Sequence, residues 1–246
     1  VLQFKQSFFY TRAISDRAAR VIRDQPADER LFSYVAFYAP HFPLQAPAES
    51  IAKFRGKYAA GWQANREARF QRQKALGIVG EGTKLSPPPD DLPAWNWLTD
   101  EQRDELDLRM AIYAAQVHEL DQGVGKIVKA LKETGRFENT LILFLSDNGG
   151  ANAGGPLGGG KRELLGGPNA ELQSTYGAGW ANVSNTPFRR FKSNTHEGGT
   201  RAPLIFHWPA KFGTEARIHH EPAHIIDLTP TCVDAAGVGR QGSRAT

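Results

Sequence analysis

The sequence predicts an α/β protein in which helices flank a central, mostly parallel sheet. Three observations point there. A long amphipathic helix pattern opens at Thr99, the apolar run "NTLILFL" follows it, and a polar "SDNGG" tip closes that run. The run is continuously apolar rather than alternating, which marks a strand covered on both faces. Helix, covered strand and polar tip together read as one doubly wound unit.

Each element has its own signal. Ile14, Ala18, Val21 and Ile22 share one face of a helix over about Ile14 to Arg23. "LFSYVAFY" (Leu31 to Tyr38) is apolar and aromatic and predicts a buried strand, stopped by Pro40 and Pro43. Ile51 to Gly82 is basic and aromatic-spotted with weak periodicity, and "LSPPPDDLPAW" is a stiff surface link. "TDEQ" (Thr99 to Gln102) fits a capping box. Leu106, Met110, Tyr113, Val117, Leu120, Val124, Ile127 and Leu131 then form one apolar stripe that ends near Gly135. A Gly-rich loop leads to "FKSNTHEGGTRAP". "APLIFHWPA" predicts a second buried strand, and "HIIDLTPTCVDAAGV" a short helix.

Composition narrows the function classes. The 246 residues are 40% hydrophobic and 23% charged, an ordinary globular balance. A net charge of +4, with no Lys/Arg run of five, suits an anionic substrate and is too mild for nucleic acid. One cysteine, Cys232, excludes an internal disulfide and a Cys-based zinc site. No run of 18 apolar residues is present, so no membrane span is expected. The first residues lack the cleavage pattern of a secretion signal.

Several groups of residues carry possible chemistry. Asp147 and Asn148, at the carboxyl end of a strand, are hard oxygen donors suited to Ca²⁺ or Mg²⁺, or else an Asp-Asn-Gly turn. His41, with Pro40 before it and Pro43 shortly after, is aimed at an oxyanion or is a loop histidine. Lys192, His196, Glu197 and Arg201 surround the Gly198-Gly199 turn as one wall of an anion site or as a solvated hairpin. "GPLGGGKR" has phosphate-loop spacing, but Arg162 stands where Ser or Thr would hold Mg²⁺, so a phosphate loop is rejected. His219, His220 and His224 lack metal-ligand spacing and read as surface, and His118 reads as structural. Asn182-Val183-Ser184 is a glycosylation triplet of a kind that also arises by chance.

"APHFP", "LSDNGG" and "FKSNTHEGGTRAP", in that order, closely resemble the sulfatase family of the alkaline-phosphatase-like superfamily. The resemblance runs from "AISDRAARVIRD" to "HIIDLTPTCVDAAG", and the Lys five residues before Glu-Gly-Gly is its most specific piece. It implies an arylsulfatase-like sulfuric ester hydrolase acting on a sulfated small molecule or carbohydrate. Asp147 and Asn148 would be the downstream half of a Ca²⁺ (or Mg²⁺) site. Lys192 would bind the sulfate group, and His41 would contact its leaving-group side. His196, Glu197 and Arg201 would belong to the supporting loop. Specificity would lie in loops such as Gly61 to Trp97 and Ala151 to Val183, and location would be periplasmic or extracellular. A phosphoester hydrolase of the same superfamily and a non-catalytic truncated protein or pseudoenzyme are the alternatives.

One departure matters as much. The family's Cys-x-Pro-Ser-Arg motif, source of the formylglycine nucleophile, is absent, and Cys232 in "PTCVDAAG" lacks the Pro and Arg it would need. The resemblance therefore implies that residues 1–246 are a partial catalytic domain. Its nucleophile region and its smaller C-terminal sheet would be missing, and it would be inactive alone.

Overall fold

The computed structural model describes residues 8–237. The helices are α1 (Tyr10–Asp24), α2 (Ala48–Ala52), α3 (Gly61–Ala75), α4 (Asp100–Glu133), α5 (Gly177–Ser184), α6 (Glu197–Thr200), α7 (Pro209–Phe212) and α8 (Leu228–Ala235). The strands among the described residues are β1 (Ile142–Leu145) and β2 (Leu204–His207). The chain divides into two compact units. One takes the residues up to Phe137 together with Asn148–Ala202; the other takes Glu138–Asp147 and the residues from Pro203 onward.

In the first unit α4 is the spine. Its start is the expected capping box: the Gln102 amide donates to Thr99 Oγ1 at 3.2 Å, and the Thr99 amide donates to Gln102 Oε1 at 2.9 Å. Its end is a Schellman turn, with Gly135 at φ 69° and the Arg136 amide on the Leu131 carbonyl at 2.8 Å. α1 packs along α4 through small groups, Ser15 against Gly123; a Cβ at Gly123 would overlap the Ser15 hydroxyl. Trp62 of α3, Trp95 and Trp180 of α5 meet edge to face, with centroids 4.9 to 6.1 Å apart. Trp180 Nε1 donates to the Leu106 carbonyl at 2.9 Å, so its one polar atom is satisfied inside the core.

The buried face of α4 also carries charge. Glu119 takes Arg12 Nε at 2.6 Å and the Ser50 hydroxyl at 2.5 Å, tying α1 and α2 to α4. Asp107 takes Arg55 and the Gly56 and Tyr58 amides, the latter two at 2.9 Å. Arg109 donates to the carbonyls of Gly159 and Thr175 at 2.5 and 2.6 Å, fastening the Gly-rich loop. In α3, buried Arg66 donates to the Asn182 and Ser86 carbonyls at 3.2 and 2.6 Å and to Ser86 Oγ at 2.7 Å. Burial pulls this guanidinium down to about 10, and it stays a cation at neutral pH.

In the second unit β1 and β2 pair antiparallel, with Ile142 opposite His207 and Leu145 opposite Leu204. Phe212 of α7 stacks edge-on with Phe206 and Trp208 at 5.3 and 6.4 Å. Trp208 Nε1 donates to Asn139 Oδ1 at 3.1 Å. The turn entering α8 is closed by His224 Nδ1, which accepts from the Ile226 amide at 3.2 Å, and by Asp227.

Several expectations change. The ladder of named strands among the described residues is two-stranded and antiparallel, where a mostly parallel sheet was expected; the parallel pairing is one isolated bridge, Gln45 to Gly166. Leu31 to Tyr38 is not assigned as a strand, and Phe32 and Tyr34 are 80% and 86% exposed. An apolar run forms a buried strand only where a neighbour takes its amides and another layer covers it. β1 is half-buried and β2 largely exposed, where both were expected to be covered. Val117 of the α4 stripe faces solvent. α3 emerges from a stretch of weak periodicity because its inner face reads Trp62, Arg66, Phe70, with a cation in the stripe.

Candidate functional site

His41 sits in a tight turn. Its amide donates to the Tyr38 carbonyl at 3.0 Å, and Gln116, from the buried face of α4, donates to the His41 and Pro43 carbonyls at 3.2 and 3.4 Å. The Phe42 carbonyl oxygen lies 2.7 Å from His41 Nδ1 and 2.7 Å from the Tyr38 hydroxyl. A carbonyl only accepts, so Nδ1 carries the hydrogen and Nε2 is the free ring nitrogen. Nε2 lies 3.3 Å from Lys192 Nζ, across 151 residues of sequence. In this geometry the ammonium donates and the imidazole lone pair accepts.

Lys192 is half-buried and makes no ion pair among the described residues. Its loop is built by the backbone. The Lys192 amide donates to the Gly150 carbonyl at 3.1 Å, and the Gly149 amide to the Gly199 carbonyl at 3.0 Å. The Gly198 amide reaches the Arg189 carbonyl at 3.1 Å, while Phe191 plugs into the core. The glycines at the crossing are required by space. A Cβ at Gly149 would overlap the Gly198 carbonyl oxygen, and one at Gly198 would overlap the carbonyls of Arg189 and Arg190. The loop after Asn148, the Lys192 loop and the His41 turn thus come together within the first unit.

The other anticipated residues fall as follows. Glu197 and Arg201 pair with each other at 3.1 Å on α6 and its end, both exposed, and Arg201 lies 5.1 Å from the Phe188 ring centroid. The His196 ring is exposed, and its carbonyl accepts the Gly199 amide at 2.8 Å. Asp147 is exposed and closes the β1 segment of the second unit; Asn148, half-buried, begins the return into the first. Neither side chain makes a hydrogen bond or ion pair among the described residues, and both present hard oxygens, which fits a divalent cation. Two donors are short of the six to eight oxygens of a Ca²⁺ shell, and no cluster of three acidic, His or Cys ligands occurs among the described residues.

Other anticipated features resolve simply. Cys232 is a free thiol in α8. His118 bonds to Lys53 at 3.0 Å beside a cavity of about 220 Å³ that includes neither His41 nor Lys192. Asn182 of the glycosylation triplet is 2% exposed. The sequence reading missed Gln116 and Asn185, the polar residues that fix the two loops. Their signal was a polar side chain inside an otherwise apolar helical face and an Asn at a helix end before Thr-Pro.

Residues 3–238 match the family model for sulfatases, and the chain belongs to the sulfatase family. It is 32% identical over 247 residues to the arylsulfatase of Klebsiella aerogenes, covering 97% of this chain and 53% of that protein. It is 31% identical over 253 residues to an uncharacterized sulfatase of Schizosaccharomyces pombe, covering 97% and 45%. The chain thus spans about half the length of these curated relatives. Among solved structures, the crystal structure of Ps i-CgsB in complex with k-i-k-neocarrahexaose superposes with a TM-score of 0.55 at 26% identity. That match covers 96% of this chain and 36% of that one.

Proposed function

We propose that this chain carries the sulfate-binding part of an arylsulfatase-like sulfuric ester hydrolase. The observation that carries the reading is Lys192 Nζ, a half-buried cation with no acidic partner among the described residues, 3.3 Å from His41 Nε2. A sulfate ester brings terminal oxygens and one negative charge. The ammonium donates to those oxygens, and charge-assisted bonds of this kind are the strong ones. Once the ammonium turns to the ester, Nε2 of His41 is free. With Nδ1–H held on Phe42, an imidazolium formed by taking a proton from solvent at Nε2 would give that proton to the departing oxygen as charge develops there and return to the Nδ1–H form.

Asp147 and Asn148 would hold a Ca²⁺ or Mg²⁺ ion, completed by further oxygens; such an ion supplies Lewis-acid stabilisation of the transferring group. Residues 1–246 encode no Cys-x-Pro-Ser-Arg motif. In a protein of the length of the curated relatives, of which this chain spans about half, formylglycine would supply the nucleophile and a mostly parallel sheet would be completed. The substrate class is a sulfated small molecule or carbohydrate, in line with the neocarrahexaose in the Ps i-CgsB crystal structure. By the same analogy the parent works in the periplasm or outside the cell.

Calorimetric titration with inorganic sulfate tests the site. Wild type binds, and Lys192→Ala weakens binding by about tenfold to a hundredfold. Equal affinity of the two would remove Lys192 from the site. An aryl sulfate assay with added Ca²⁺ tests the domain reading: no multiple turnover is expected from this chain.

A further inference from the structure

We propose that Asn185 is a positioning residue for the anion site: its buried amide locks a strained Lys192 loop onto the loop that follows Asn148. The inference rests on the reading of Lys192 as the sulfate-binding cation. Asn185 caps the end of α5 and is 8% exposed. Its Oδ1 accepts from the Gly150 amide at 2.7 Å, and its Nδ2 donates to the Arg190 carbonyl at 3.1 Å and approaches the Gly150 carbonyl at 3.4 Å. An amide N–H only donates, so the orientation of the Asn185 amide is fixed by its partners. One side chain therefore bonds to both loops.

The Lys192 loop needs such a clamp. Among the described residues, the non-glycine residues with positive φ are Arg190 at 68° and Ser193 at 70°, one on each side of Lys192. Residues with a Cβ avoid that region, and they stay there only where their surroundings over-determine the conformation. Here the Arg190 carbonyl is held by Asn185, the Lys192 amide by Gly150, and Phe191 by the core. Gly150 is thus bonded to both Asn185 and Lys192, so the position of the lysine is relayed from α5. Asn fits the task because it offers a donor and an acceptor at once. Asp would set a carboxylate against the carbonyls of Arg190 and Gly150, and Ala would remove the side-chain partner of the Gly150 amide and of the Arg190 carbonyl.

The experiment combines sulfate titration with amide hydrogen exchange on the whole chain. Wild type, Asn185→Ala, Asn185→Asp, Lys192→Ala and the core variant Leu131→Ala are compared. Asn185→Ala is expected to weaken sulfate binding about tenfold. It is also expected to speed exchange at the Gly150 and Lys192 amides while Ala115 in α4 keeps its protection. Asn185→Asp serves if the alanine variant does not fold: it keeps the acceptor for the Gly150 amide, so exchange rises at Lys192 but not at Gly150, and sulfate binding falls. Leu131→Ala lowers the melting temperature and leaves sulfate affinity unchanged. Unchanged affinity in a folded Asn185 variant overturns the proposal, as does an equal loss in Leu131→Ala. If wild type and Lys192→Ala bind sulfate alike, the reading of Lys192 fails instead. The exchange rates at Gly150 and Lys192 then decide by themselves whether Asn185 clamps the loop.

Discussion

Lys192 Nζ stands 3.3 Å from His41 Nε2, although the two residues are 151 positions apart. The pair is formed by two loops that are each fixed by buried polar side chains, Gln116 on one side and Asn185 on the other. Because Phe42 takes the Nδ1 hydrogen, the imidazole presents a defined nitrogen to the lysine.

That arrangement sets the tautomer. In long-range ¹H–¹⁵N spectra of the free protein above the pH where imidazole is protonated, His41 is expected as the Nδ1–H form. A dominant Nε2–H signal would contradict the geometry. Lys192→Met should leave the tautomer in place, since Phe42 and not Lys192 selects it.

Gly149→Ala should be disruptive out of proportion to its size. The added methyl would overlap the Gly198 carbonyl and force apart two loops joined by the Gly149 to Gly199 bond of 3.0 Å. Overpacking at a backbone crossing costs about 1–3 kcal/mol, which chemical denaturation should resolve. Gly155→Ala, where open space surrounds the missing Cβ but φ is 75°, should cost only the backbone strain.

Acid should loosen the packing of α1 on α4. The hydrogen bond from Arg12, chiefly, holds the Glu119 carboxyl below its ordinary value of 4.5. A depressed carboxylate contributes stability that is fully present above that ordinary value and is lost as pH falls through the lower, folded-state value. Melting temperature should therefore drop below about pH 4.5, and Glu119→Gln should flatten part of that slope. Arg12 is partly exposed, so the loss at neutral pH in Glu119→Gln should be a modest 1–2 kcal/mol or about that.

Arg66 should not tolerate replacement. It satisfies the buried carbonyl of Asn182 and the half-buried carbonyl and hydroxyl of Ser86. Arg66→Ala should cost about 3 kcal/mol, and Arg66→Lys should recover little because one ammonium cannot span the fork. Denaturation midpoints of the two variants check both claims.

Glycosylation at Asn182 should not occur in the folded protein. The residue is buried in α5, and its carbonyl is bonded to Arg66 at 3.2 Å. Intact mass after expression through a eukaryotic secretory route should show an unmodified Asn182; a glycan there on folded protein would contradict the packing.

The sequence made α4 legible to its last turn, because capping residues, an apolar period and a terminal glycine all act locally. His41 and Lys192 were legible only through motif order, and the structure brings them together. The loop clamps were not legible. Gln116 works through His41, 75 positions away, and Asn185 joins nearby Arg190 to Gly150, 35 positions away, and no local period encodes either link. The strand expected over Leu31 to Tyr38 did not appear for a related reason: apolarity there records a tendency to be covered, but which neighbour covers it is a tertiary matter. Arg66 hid α3 in the same way, as a buried cation whose partners are carbonyls rather than a nearby acid.

The distance in sequence between the two nitrogens has a thermodynamic side. A cradle assembled from segments 151 residues apart exists only in the native ensemble, so whatever occupies it is a folding ligand. By mass action, an oxyanion at a hundred times its dissociation constant would add about 2.7 kcal/mol to the native state. The choice of buffer, sulfate against chloride, would then set how much of the protein stays folded.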